Sequence, residues 1–260
     1  MKRGYLARLI AVVLVAAGVG WIISTAAGGG SGASSTVADQ AIRRASRHRT
    51  HRHGLPRGWS YIATARRGVG DVPVYAAARG RAVRLVLPSR SAIGVPLTLL
   101  VRRRGGQRVE TYLPVRPNRG TGWVSRRAVR LLTTAYGLQV HLRSHRLFVL
   151  VSGRVVHTIT IGVGRSVTPT PSGTYFITEL LKQPDPAGPY GPYAFGLSAH
   201  SGVLQHFGQG GDGQIGIHGT DEPSLLGTDV SHGCIRLRNS DVLWLVHRLP
   251  LGTPVAISRT

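Results

Sequence analysis

The pattern of apolar and polar positions divides the chain into stretches of different character. The first apolar stretch is continuous rather than periodic: Leu9 to Ile23 holds no charged side chain, and Lys2, Arg3 and Arg8 precede it. Its 15 residues fall short of the ~20 that usually span a bilayer, although Ser24 to Ala27 extend the run. A basic start, an apolar middle and the small residues Thr25-Ala26-Ala27 are the regions of an export signal. Residues 1–27 are therefore expected to be a signal peptide or a retained signal-anchor helix, and either leaves the rest of the chain outside the cytoplasm. Residues 28–57 read as a flexible basic linker. Gly28 to Ser35 is Gly/Ser-rich, and Ile42 to Arg57 is crowded with arginine and histidine and poor in apolar residues.

From Trp59 onward the pattern changes to short β-rich pieces split by Gly, Pro and Arg. They are Val72 to Tyr75, Ala82 to Leu87, Pro96 to Arg102, Arg108 to Val115 and Gly122 to Val124. Five short strands within residues 58–135 suit a small β-barrel. The segment Leu113 to Val124 resembles the end of a bacterial SH3-like module. From Tyr136 the β signal strengthens: Leu147 to Val151 and Val155 to Ile161 are joined through Ser152-Gly153, which predicts a tight hairpin. Thr168 to Gly173 reads as a turn leading into a strand over Thr174 to Thr178. Gln183 to Pro192 carries four prolines and reads as a loop long enough to act as a lid. A helix is predicted after an N-cap at Asn239 or Ser240, with Asp241 in its first turn and Pro250 and Gly252 as its stop. A strand over Pro254 to Ile257 closes the chain. The expected fold is mainly β, with one or more short helices in residues 136–260.

Charge adds a partner to this picture. The net charge is +23, yet residues 1–135 hold 24 Lys/Arg against 3 Asp/Glu while residues 136–260 hold 9 against 7. Such asymmetry points to a polyanion. Export sets nucleic acid aside and favours an anionic cell-wall polymer or a membrane surface.

Candidate chemistry lies in the other half. Cys234 is the only cysteine, so it has no partner for an internal disulfide, and two histidines, His218 and His232, lie close by in sequence. Activated by His218 or His232, it would be an acyl-transfer nucleophile. Gly233 leaves the backbone uncrowded for amide donors to an oxyanion. Gly219 can present a carbonyl that orients the His218 imidazole, although Asp212, Asp221 and Asp229 are near enough in sequence to compete for that role. Zinc ligation by His206, His218, His232 and Cys234 offers suitable ligand types, but their spacing matches no common zinc motif.

The pattern His218-Gly219-Thr220, then Ser231-His232-Gly233-Cys234-Ile235-Arg236, resembles the signature of the L,D-transpeptidases, which cross-link peptidoglycan. The turn around Thr168 to Tyr175 and the stretch from Gly191 to His218 extend the resemblance over residues 136–260. It implies a catalytic β-sandwich preceded by the SH3-like module, and an enzyme of the cell envelope acting on peptidoglycan stem peptides without metal or organic cofactor. By resemblance, Cys234 is the nucleophile, His218 the catalytic histidine, Gly219 the carbonyl that steadies it, and His232 a further catalytic-site residue. Ser231, Gly233 and Arg236 would contact or shape the substrate site, Arg236 either holding a substrate carboxylate or supporting the fold through carbonyls. The implied reaction releases D-alanine from a tetrapeptide donor, passes through a thioester and forms a 3→3 cross-link, and carbapenems would acylate Cys234. Two alternatives stay open: carboxypeptidase action at the same site, and a silent wall-binding protein. The 12-residue loop from Gly219 to Val230 is short for the family.

Overall fold

The computed structural model describes residues 54–206 and 212–260. The signal or anchor segment and most of the basic linker lie outside the described residues. Among those described, no helix is long and apolar enough to cross a membrane.

Two antiparallel-rich sheets follow one another along the chain. The upstream sheet is built from β1 (Ser60–Ala65), β2 (Val72–Tyr75), β3 (Val83–Leu87), β4 (Thr98–Arg104), β5 (Arg108–Tyr112), β6 (Thr121–Ser125) and β7 (Val129–Thr134). Its order is β3-β2-β6-β5-β4-β1-β7. It therefore has seven strands where five were expected. The two additions, β1 and β7, pair with each other from Ser60↔Thr134 to Ala65↔Val129. β1 (Ser-Tyr-Ile-Ala-Thr-Ala) mixes small and polar residues with a single large aliphatic, and β7 (Val-Arg-Leu-Leu-Thr-Thr) has only a short apolar pair, so neither stood out as a strand.

The second sheet comprises β8 (Tyr136–His141), β9 (Arg146–Val151), β10 (Arg154–Thr160), β12 (Gly173–Lys182), β13 (Tyr193–His200), β14 (Gln214–His218), β16 (Ile235–Arg236) and β17 (Pro254–Ser258), while β11 (Val163–Gly164) and β15 (Asp229–Ser231) form a separate parallel pair. Its order is β10-β9-β8-β17-β12-β13-β14-β16. The β9–β10 turn has Ser152 at φ 53° and Gly153 at φ 78°, two consecutive positive values that match the twist of a two-residue hairpin. One helix, α1 (Asn239–Val246), buries Val242, Leu245 and Val246. Its cap position is Arg238, with no side-chain cap bond. Asn239, expected to cap the helix, instead turns its amide oxygen to the Thr220 N–H at 2.9 Å.

Strand β12 ties the sheets together. Side chains alternate along a strand, and here the two faces meet different cores. Tyr175 and Ile177 enter the core of the second sheet, whereas Phe176, fully buried, enters the core of the upstream sheet beside Leu99 and Val124. The β5–β6 loop reinforces this contact. Arg116 donates to the carbonyls of Ser201 (2.7 Å), Leu204 (2.9 Å) and Asp212 (2.9 Å). Asn118 and the His200 backbone exchange bonds of 2.7 and 2.9 Å. The upstream sheet is thus packed onto the strands that lead into the candidate site.

Candidate functional site

Strands β14 and β16 are parallel neighbours, with Ile217 beside Ile235 and His218 beside Arg236. This register brings together the two motifs that the sequence separates. A methyl group on Gly216 would stand 3.9 Å from His218 Cδ2 and 4.0 Å from Cys234 Sγ, so both side chains close over the same glycine. The Gly216 N–H donates to Cys234 Sγ at 3.3 Å.

His218 is buried, and its Nδ1 lies 2.6 Å from the Gly219 carbonyl. A carbonyl only accepts, so the proton resides on Nδ1 and Nε2 is left as the basic nitrogen. Two of the carboxylates that competed for this role pair with other histidines: Asp229 meets His145 at 2.8 Å and Asp212 meets His200 at 2.9 Å. Burial pushes the His218 pKa down to about 4, with the Arg236 charge adding to the effect and the Gly219 carbonyl opposing it. Burial also pushes the Cys234 thiol up, against weaker pulls from the Gly216 N–H and Arg236. The resting pair is therefore a neutral thiol beside a neutral imidazole, not an ion pair.

The loop before Cys234 is held from both sides. Ser231, buried, accepts from the Gly233 N–H at 3.0 Å and donates to the Cys234 carbonyl. Thr170 Oγ accepts from the Gly164 N–H at 2.9 Å and donates to the Gly233 carbonyl at 2.8 Å. Gly233 has φ 125°, and a Cβ there would lie 2.9 Å from Ile215 Cδ1, so this position admits only glycine without a shift.

A cavity of about 370 Å³ opens over this arrangement. Cys234, His218, His232, Ser231 and Arg236 all line it. Gly219 and Gly233 act through their carbonyls, which accept from His218 and Thr170. His232 is exposed, with Arg165 Nη2 3.4 Å from its Nε2. Arg236 also pairs with Glu222 at 2.7 Å, a partner that the sequence did not suggest. No group of three or more His, Cys, Asp or Glu side chains arranged to hold a metal occurs among the described residues.

Sequence reasoning missed three contributors, Tyr190, Asn239 and Glu179, and named Asp212 only as a competing orienter of His218. Tyr190, from the proline-rich loop, lays its ring 4.7 Å from that of His218. Asn239 anchors the turn after His218 through Thr220. Glu179 and Asp212 line the same cavity. Burial, and then the Asp212 charge, raise the Glu179 pKa, while the hydrogen bond with His200 lowers that of Asp212. Only the loop's length and prolines hinted at any of this; the rest depends on which strands pair.

Comparison with known proteins gives a consistent result. The L,D-transpeptidase catalytic domain model, YkuD, matches residues 135–257. The Bacillus licheniformis protein YkuD, named as an L,D-transpeptidase, is 40% identical over 126 residues, 48% of this chain and 67% of its own. Its Bacillus subtilis counterpart is 38% identical over 127 residues, 49% of this chain and 68% of its own. The L,D-transpeptidase LdtMt1, solved in complex with imipenem, superposes with a TM-score of 0.42 at 16% identity, covering 81% of this chain and 87% of that one. On its sequence, the chain belongs to the L,D-transpeptidase family, whose members act in peptidoglycan cross-linking.

Proposed function

We propose that this protein is a peptidoglycan L,D-transpeptidase of the cell envelope in which Cys234 is the nucleophile and His218 the acid–base group. The observation that carries the reading is the bond between His218 Nδ1 and the Gly219 carbonyl. It fixes the tautomer and leaves a basic Nε2 in the cavity that also holds Cys234 Sγ. As the thiol attacks the carbonyl of the third stem residue, its proton passes to His218 Nε2. The Gly233 N–H is occupied by Ser231, so the Cys234 N–H is the oxyanion donor. Collapse of the tetrahedral species gives the His218 proton to the departing D-alanine nitrogen and leaves a thioester. The side-chain amine of a second stem attacks that thioester, His218 takes its proton and returns it to the Cys234 sulfur, and a 3→3 cross-link results. Starting from a neutral pair, each transfer moves one proton and no step needs a metal. His232 and Arg236 sit at the mouth of the cavity, where they meet substrate rather than reacting atoms.

Intact-mass spectrometry with a disaccharide-tetrapeptide, with Cys234→Ala in parallel, tests the reading. A cysteine-dependent acyl adduct, loss of D-alanine and a cross-linked dimer are expected, and a carbapenem should form an adduct at the same residue. An adduct that yields only tripeptide would make the enzyme a carboxypeptidase. No adduct from the folded protein would point to a silent wall-binding fold.

A further inference from the structure

A second concavity lies apart from the catalytic cavity. It is an open groove of about 1510 Å³ at the seam of the two sheets, well above the size of a small-ligand pocket. Four guanidinium groups line it: Arg119 from the upstream sheet, and Arg143, Arg165 and Arg259 from the second. These last three are a third of the nine Lys/Arg in residues 136–260, a region close to electroneutral. Asp229 is the single carboxylate in the lining, and it is engaged by His145 at 2.8 Å. Arg119 is tied to the Ser172 carbonyl at 2.6 Å. Arg143 and Arg259 are exposed, and among the described residues their guanidinium groups have no hydrogen-bond or ion-pair partner.

The groove shares a wall with the catalytic loop. The turn from Gly164 to Gly173 lines the groove on one side. On the other side Arg165 N and Thr168 Oγ donate to the Ser231 carbonyl at 3.0 and 3.3 Å, and Thr170 reaches Gly233. Arg165 also touches His232, which faces the catalytic cavity.

We infer that this groove binds a carboxylate-bearing strand of polymeric peptidoglycan beside the catalytic cavity, so that the enzyme grips the wall next to the stem it processes. The placement relative to Cys234 rests on the function proposed above; the binding itself does not. The groove is basic, its single carboxylate is already engaged by His145, and it is too large for a single small ligand; guanidinium forks match carboxylates in geometry. The free carboxylates along neighbouring stems supply repeated partners for four spaced arginines.

The test compares wild type with Arg143→Gln/Arg259→Gln. Co-sedimentation with sacculi stripped of phosphate polymers reads binding, and turnover of a soluble disaccharide-tetrapeptide is measured alongside. Exposed guanidinium–carboxylate pairs are individually weak, so losing two should weaken sedimentation about three- to tenfold and reduce its salt dependence, with soluble turnover unchanged within about twofold. Equal sedimentation of the two proteins would overturn the inference. So would a difference seen only with sacculi that retain phosphate polymers, which would make the ligand a phosphate. Loss of soluble turnover in the variant would also overturn it, because the arginines would then belong to the catalytic fold. Absent soluble turnover in the wild type would remove the proposed reaction while leaving the groove to be judged by sedimentation.

Discussion

The buried imidazole of His218 makes acid stability a measurable signature of the site. Its pKa lies at about 4 in the folded protein and near ~6.5 in an unfolded chain. Between these values the unfolded chain binds a proton that the folded protein does not. Stability contributed by the neutral imidazole is therefore complete above pH ~6.5 and is lost progressively as the pH falls towards 4. A separation of roughly 2.5 units corresponds to about 3 kcal/mol. Replacing His218 by glutamine removes the titration. The substitution also removes the Tyr190 ring contact, which shifts absolute stability but not its slope with pH. Glu179, whose raised pKa works in the opposite direction, is common to both proteins and cancels in the comparison. Urea unfolding at pH 7 and pH 4 should show wild type losing about 3 kcal/mol more than His218→Gln. Titration of the His218 Cε1 proton by NMR should place its midpoint near the lower value. Equal losses in the two proteins, or a midpoint near that of an ordinary histidine, would refute the neutral-pair picture and restore an ion pair.

Because His218 stays unprotonated well into the acid range, kcat/KM should stay flat from pH 7 down to about 5; a steep fall beginning near pH 6.5 would show the imidazole titrating normally. Iodoacetamide should alkylate Cys234 slowly at pH 7, since burial disfavours the thiolate, and rapid modification would contradict the raised pKa. Gly233→Ala forces a side chain onto φ 125° and against Ile215, so kcat/KM should drop at least tenfold with a stability loss of about 1–3 kcal/mol; unchanged kinetics would mean that the loop tolerates another shape. Arg116→Ala removes three charge-assisted bonds to the 201–212 backbone, and urea unfolding should register about 2–3 kcal/mol, whereas a loss under 0.5 kcal/mol would make the contact incidental.

Strands with strong apolar character were legible from the sequence: β9, β10 and β17 lie within a residue or so of where the pattern placed them. Strands β13 and β14 were not, because they hold glycine, serine and histidine beside their apolar residues, and pairing with neighbours rather than propensity makes them strands. Within the site, the motif spacing named Cys234 and His218, while their meeting over Gly216 depends on a parallel pairing that no local pattern encodes. Asn239 misled for a related reason. Its sequence position suits a helix cap, yet the turn after His218 offers the Thr220 N–H as a competing donor. Arg236 was read as facing a substrate carboxylate or supporting backbone, and its pairing with Glu222 was not legible because nothing local marks that contact.

The alternation along β12 has a consequence for how such a chain can be recombined. Position 176 is answerable to the upstream sheet alone, although it lies in the middle of a strand whose neighbours on both sides serve the other core. A catalytic half transplanted without its upstream partner would carry a bare aromatic ring on its outer surface, flanked by the severed contacts of Ser201, Leu204 and His200. Separating the two sheets near residue 135 therefore demands a compensating change at position 176, more than forty residues downstream.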